Sequence, residues 1–289
     1  MRLIEHEVSS QPSIWRKAAE LAGDAQLPER GARVAAIGCG TSLYVAQAYA
    51  VSREQAGHGE TDAFAASELP AGRDYEALVA ISRSGTTTEV VDVLRSGAHP
   101  PVTAVTAVPD SPVAAAAAQV VALPFADEQS VVQTRFATAT LVLLRAHLGI
   151  APEPATTAAE RMLESDLPLD PNGFERFVFL GRGWTVGLAS EASLKLAETA
   201  QVWSEAYPAM EYRHGPIALA DPRTAVIPFG HIDPALVADV RRTGAFLLDP
   251  DPEPLATLVL AHRLAIALAA ARGLDPDAPR NLTRSVVLQ

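Results

Sequence analysis

The 289-residue sequence predicts an α/β protein of two similar halves with mostly parallel sheets. Three observations carry that prediction. One phrase occurs twice, 143 residues apart: Arg33-Val34-Ala35-Ala36-Ile37-Gly38-Cys39-Gly40-Thr41 and Arg176-Phe177-Val178-Phe179-Leu180-Gly181-Arg182-Gly183-Trp184. Each copy is a short apolar run closed by Gly-x-Gly and followed by a helical pattern, as in a buried parallel strand. Apolar runs then alternate with helical patterns along the chain, the signature of βαβ units. Glycines at a strand's carboxyl end permit the tight turn where open α/β sheets bind ligands. A small-molecule site between or beside the halves is therefore expected.

Taken in order, residues 1–26 read as a polar helical lead-in, with a helix start at Gln11-Pro12-Ser13. A strand over 33–38 feeds a helix from about Leu43 to Ala56. Ala77–Ile81 is a second buried strand, ending in Ser82-Arg83-Ser84-Gly85-Thr86-Thr87-Thr88-Glu89, where a helix starts. Strands follow at 102–107 and 120–123, then a long helix over about 133–148. The Pro- and acid-rich stretch 149–174 reads as a connection. The second half repeats the plan: strand 176–181, helix 188–202, strands 224–228 and 244–248, and a long apolar helix over 255–272. The tail from Pro279 carries enough apolar residues to dock. Two domains are expected, 1–152 and 153–289, with the tail folding back over the site.

Composition narrows the function. The net charge of −11 disfavours nucleic acid and anionic membranes as partners. No uncharged apolar run reaches the roughly 20 residues of a membrane span. The first residues lack the apolar core of a signal peptide, and a cytoplasmic protein is expected. One cysteine, Cys39, excludes a disulfide framework and a zinc ribbon, and no metal-ligand spacing is visible. Only Lys17 and Lys195 among 23 basic residues are lysines, so Lys195 either serves as an amine or fell in a helix by chance.

Two segments carry chemistry. In the run 82–88, hydroxyls and backbone amides meet at a helix N-terminus, where unpaired donors and the helix dipole favour an anion. Ser82, Ser84 and Thr87 are expected to donate to a phosphate monoester, Arg83 to add charge, and Glu89 to close a capping box with Thr86. Thr41 and Ser42, after Gly40, offer further donors. The competing reading is a helix cap rich in hydroxyls. The segment lacks the lysine and spacing of a P-loop. In the second segment, Glu191, Lys195 and Glu198 share one helix face at i, i+4 and i+7. With His214 in the following loop they form a proton-transfer set; a solvated Glu–Lys stripe is the alternative.

On these residues the chain resembles the sugar isomerase (SIS) domain family. The similarity runs through Leu180–Gly183, Glu191–Glu198, Glu205–Tyr207, Glu211–Leu219, Gly38–Ser42, Ser82–Thr87 and the tail Pro279–Leu282. It is nearest to the tandem isomerase half of glucosamine-6-phosphate synthase and to stand-alone phosphosugar isomerases and deaminases. The resemblance implies two three-layer α/β/α SIS domains related by a pseudo-two-fold. It implies a sugar 6-phosphate substrate with Ser42, Ser82, Ser84 and Thr87 around the phosphate, and Val131 and Gln133 lining the sugar. It makes Glu198 the base that moves a proton between C1 and C2, supported by Lys195 and Glu191. His214 opens the ring, reaching in from the neighbouring subunit of a homodimer. No cofactor or metal is implied.

The departures from the family matter. No glutaminase segment is present, so glutamine-dependent synthesis is not expected of this chain. Arg284 stands where the synthase tail has a Schiff-base lysine, a reaction closed to a guanidinium; pairing with substrate oxygens or with the phosphate stays open to it. Arg83 replaces a neutral amide and Gln133 a serine. Three activities stay open: an aldose–ketose isomerase, an amino-sugar-6-phosphate deaminase, and a non-catalytic sugar-phosphate-binding protein.

Overall fold

The computed structural model describes residues 2–288. The chain divides into two compact units. The first holds residues 10–152 and 282–288; the second holds residues 2–9 and 153–281. Residues 2–9 and 282–288 thus group across the expected 152/153 boundary. Helix α1 (Leu3–Ser9) joins the second unit because Leu3 and Ile4 amides donate to the Asp277 carboxylate at 2.8 and 3.0 Å, and Ile4 and Val8 are buried.

In the first unit, α2 (Gln11–Glu20) precedes β1 (Val34–Gly38), α3 (Thr41–Gln55), β2 (Thr61–Ala65), β3 (Ala77–Ile81), α4 (Thr88–Ser96) and β4 (Val102–Thr106). Then come α5 (Pro112–Ala116), β5 (Gln119–Ala122) and α6 (Arg135–His147). The five strands are parallel, in order β2-β1-β3-β4-β5. On one face, Ile37, Leu78, Ala80 and Val102 pack under Val90, Val91 and Leu94 of α4 and Val113 of α5. Strand alternation turns the intervening residues to the other face, where α3 lies on β1 with α6 and α2 behind it. Both faces are covered, which is why β1 and β4 are buried throughout.

The second unit adds α7 (Glu153–Glu164), β6 (Arg176–Gly181), α8 (Thr185–Ala200), β7 (Ser204–Pro208), β8 (Thr224–Pro228), α9 (Pro234–Arg242), β9 (Phe246–Leu247) and α10 (Pro254–Ala271). Its parallel sheet runs β7-β6-β8-β9, the same order as the first four strands of the other sheet. Val178, Leu180 and Val226 pack under Leu236 and Val240 of α9, while α8, α10 and α7 pack together. By length and composition α10 is apolar enough to cross a membrane, but twelve of its residues are buried in this unit. It is a core helix.

Several elements differ from expectation. The segment 149–174 contains α7, whose Ala155, Ala158 and Ala159 form a buried face. Pro154 sits in its first turn, where a missing N–H has no helical acceptor to lose. The strands absent from the sequence reading, β2 and β7, are both sheet edges and only partly buried. Their polar residues break the apolar run that marks a central strand. The lead-in is two helices rather than one.

In both sheets the order reverses between the first strand and the next one inward, β1/β3 and β6/β8, where doubly wound sheets open a crevice for ligands. The repeated Gly-x-Gly phrases end β1 and β6 at these points. A Cβ on Gly38 would fall 2.5 Å from the Ser42 carbonyl carbon, and one on Gly181 would fall 2.5 Å from that of Thr185. The first turn of the following helix therefore closes directly onto the strand end. Gly40 and Gly183 take φ of 54° and 59°, which other residues rarely adopt.

Candidate active site

The hydroxyl-rich turn follows β3 in the first unit. Ser82 and Ser84 are buried, and Thr87 is the N-cap of α4. Ser82 Oγ lies 3.4 Å from Thr87 Oγ1 and accepts from the Gly85 amide at 3.2 Å. Ser84 Oγ accepts from the Thr86 amide at 3.2 Å. The expected capping box is not formed. Thr86 does not cap the helix; its Oγ1 lies 3.0 Å from Ser84 Oγ and 2.9 Å from Ser285 Oγ. The chain tail explains this, because it lies along the turn. The Thr88 amide donates to Val286 O at 3.2 Å, and the Leu288 amide donates to Thr88 Oγ1 at 2.9 Å. Thr41 and Ser42 open α3 at the neighbouring strand end, and both are buried.

Arg83 departs from its expected role. Its guanidinium is buried and donates through Nη1 to Ser130 O at 3.0 Å, and through Nη2 to Val131 O and Arg284 O, each at 3.0 Å. It holds three backbone carbonyls instead of presenting its charge to an anion. Glu128 lies 3.9 Å away and is itself buried. Its carboxylate caps α6, accepting from Thr134 N (2.7 Å), Thr134 Oγ1 (2.9 Å), Arg135 N (2.7 Å) and Phe136 N (3.1 Å). Arg284 pairs with Asp127 at 2.5 Å and donates to Glu128 O, so its charge is also engaged within the protein. Val131 and Gln133 flank the same loop. The Gln133 Oε1 atom is buried without a hydrogen-bond partner, an acceptor that a hydroxyl-bearing ligand would satisfy.

The second unit supplies the ionisable cluster. On α8, Lys195 is buried with its Nζ 2.5 Å from Glu198 Oε2 and 3.5 Å from Glu191 Oε1. Glu191 is buried, whereas the Glu198 side chain remains 20% exposed and so open to a ligand. The three are therefore not a solvated stripe. α8 begins immediately after the Gly-x-Gly turn, and Glu191, Lys195 and Glu198 follow further along it. His214 is exposed in the loop after β7, its amide bonded to Glu211 O at 2.9 Å; it does not join the cluster. A histidine that the sequence reading missed does bear on it. His262 of α10 is fully buried, and burial, with the Lys195 ammonium as a lesser cause, pushes its pKa down to about 3. Its only sequence signal is a lone histidine in an apolar helix. Among the described residues no group of three or more His, Cys, Asp or Glu side chains is arranged to hold a metal ion.

Comparison with known proteins shows what the chain is similar to. No family model matches the chain. A glutamine–fructose-6-phosphate aminotransferase [isomerizing] of Thermosynechococcus vestitus is 36% identical over 142 residues, 39% of this chain and 23% of that protein. Its counterpart in Methanothermobacter thermautotrophicus is 29% identical over 306 aligned residues, 89% of this chain and 52% of that protein. The crystal structure of a glucosamine-6-phosphate deaminase from Thermotoga maritima superposes with a TM-score of 0.85 at 25% identity, covering 99% of each chain. The chain is thus similar in sequence to part of isomerizing glutamine–fructose-6-phosphate aminotransferases and in fold to a glucosamine-6-phosphate deaminase. It spans about half the length, or less, of the curated relatives it matches. The match with the deaminase covers both units, so the likeness extends through β1–β5 and β6–β9 alike.

Proposed function

We propose that this chain is a phosphosugar aldose–ketose isomerase acting on a hexose or aminohexose 6-phosphate. The observation that carries the reading is the buried Lys195 flanked by Glu191 and Glu198 on a helix that opens at a sheet's ligand-binding end. Names of the relatives, isomerizing aminotransferases and a deaminase of phosphorylated amino sugars, support the substrate class.

In this reading the two units are tandem sugar isomerase domains. Ser42, Ser82, Ser84 and Thr87 bind the phosphate, and Thr41, Val131 and Gln133 line the sugar. Glu198 takes the proton from C2 of the open aldose and returns it to C1 through an enediol, the reverse step following the same path. Lys195 holds the Glu198 carboxylate in place, and its charge favours the developing enediolate oxygen. Glu191 balances the buried ammonium. His214 moves the proton of the ring oxygen. Its exposure supports action on the site of a neighbouring subunit, hence a homodimer. Arg284 closes the tail and does not act as an amine.

A deaminase is the second reading, favoured by the full-length likeness to the Thermotoga maritima protein. The same proton shuttle would then give an imine at C2, which water hydrolyses to the ketone with release of ammonia. A panel of hexose and aminohexose 6-phosphates, assayed for aldose–ketose interconversion and for ammonia, tests both readings. Interconversion without ammonia is expected. Ammonia release replaces the first reading with the second. Binding without turnover of any member leaves a sugar-phosphate-binding protein.

A further inference from the structure

The tail and Arg83 form an arrangement that the expected site does not include. Ser285 Oγ accepts from Ser84 Oγ at 3.1 Å and lies 2.9 Å from Thr86 Oγ1, closing a triangle of hydroxyls on the turn after β3. Two bonds from backbone amides, Thr88 N to Val286 O and Leu288 N to the Thr88 hydroxyl, pin the next tail residues to the start of α4. One residue before Ser285, the Arg284 carbonyl accepts from the buried Arg83 guanidinium, which also holds the carbonyls of Ser130 and Val131.

We propose that Ser285 is a phosphate-binding residue delivered by the tail, and that Arg83 is the positioning residue that holds it there. The proposal rests on the phosphosugar reading of the same turn. Hydroxyls rotate at little cost, so a ring of them bonded to one another can turn its donors toward an entering anion without stranding a buried polar atom. A buried arginine suits the holding role because its planar fork reaches three carbonyls on separate segments at once, where a lysine offers a single point charge. The sugar-lining loop at Val131 and the phosphate-binding tail at Ser285 are then set in register by one side chain. Occupancy of the site and closure of the tail are coupled, since the anion gains a ligand only while the tail is docked.

The test uses the full chain and three readouts, steady-state turnover being the third. Titration with fructose 6-phosphate and glucosamine 6-phosphate reads the cradle; hydrogen exchange of the amides from 284 to 288 reads the tail. Ser285→Ala is expected to weaken phosphosugar binding about tenfold, the size of one lost hydrogen bond to a charged group, with slow tail exchange retained. Arg83→Gln is expected to speed tail exchange and raise KM more than it lowers kcat. Arg83→Lys, which keeps the charge and most of the volume, recovers part of both. Parent-like affinity in Ser285→Ala, beside a clear loss in Ser84→Ala, removes Ser285 from the cradle. Parent-like tail exchange in folded Arg83→Gln and Arg83→Lys removes Arg83 from its role. A parent chain that binds neither sugar phosphate overturns the phosphosugar reading and Ser285 with it, while tail exchange still decides Arg83.

Discussion

The buried His262 makes a quantitative prediction about acid stability. An ordinary histidine titrates near 6.5, and this one is pushed down to about 3 by burial, with the Lys195 ammonium adding to the effect. Between those two pH values the unfolded chain binds a proton that the folded chain refuses. Stability is then complete above pH 6.5 and is lost as the pH falls toward 3. The slope approaches about 1.4 kcal/mol per pH unit, giving about 2.7 kcal/mol lost between pH 7.5 and 4.5. His262→Gln removes the titration while keeping a polar side chain. Urea unfolding of parent and variant at several pH values in that range measures it. The absolute offset between them reports packing; the difference in slope reports the proton. The parent is expected to lose about 2.7 kcal/mol more than the variant over the interval. Parallel curves would refute the reasoning and show that His262 binds its proton as readily in the folded as in the unfolded chain.

Three further outcomes follow from the geometry. Glu128→Ala removes the acceptor of four donors at the start of α6 and leaves Arg83 without its buried acid; denaturant unfolding is expected to show a loss of about 3–5 kcal/mol. Gly181→Ala forces a methyl group into the first turn of α8 and is expected to cost about 1–3 kcal/mol. Gly173→Ala, whose new methyl meets only the Asp170 Cβ at 3.8 Å, serves as a near-neutral control in the same thermal melts. Ser84→Ala is expected to weaken binding of a sugar 6-phosphate by about tenfold. A matched sugar without phosphate, titrated against parent and variant, should show no such difference.

The sequence announced the central strands clearly. β1, β3, β4, β6 and β8 are buried on both faces, so each reads as a continuous apolar run, and the two Gly-x-Gly phrases mark where the helices close onto them. Edge strands β2 and β7 were silent because one side of each meets polar surroundings, and their sequences mix Thr, Asp, Ser and Glu with apolar residues. α7 was obscured by Pro154 and by acids that sit on its exposed face. At the site, the Glu191, Lys195 and Glu198 cluster was legible because helical spacing is local. Arg83 was misread, since its partners lie 47 to 201 residues away in sequence. Glu128 and Ser285 were invisible for the same reason. A cap donated from a preceding loop and a hydroxyl donated from the tail leave no periodic trace.

The proposed isomerisation requires that Glu198 move a substrate proton while the hydroxyl turn grips the phosphate. Glu198→Gln tests it most directly, with turnover and binding of one sugar 6-phosphate measured on the same preparation. The expected result is a fall in kcat of at least about a hundredfold with affinity held within about tenfold. Turnover at the parent rate would contradict the claim and take Glu198 out of the chemistry.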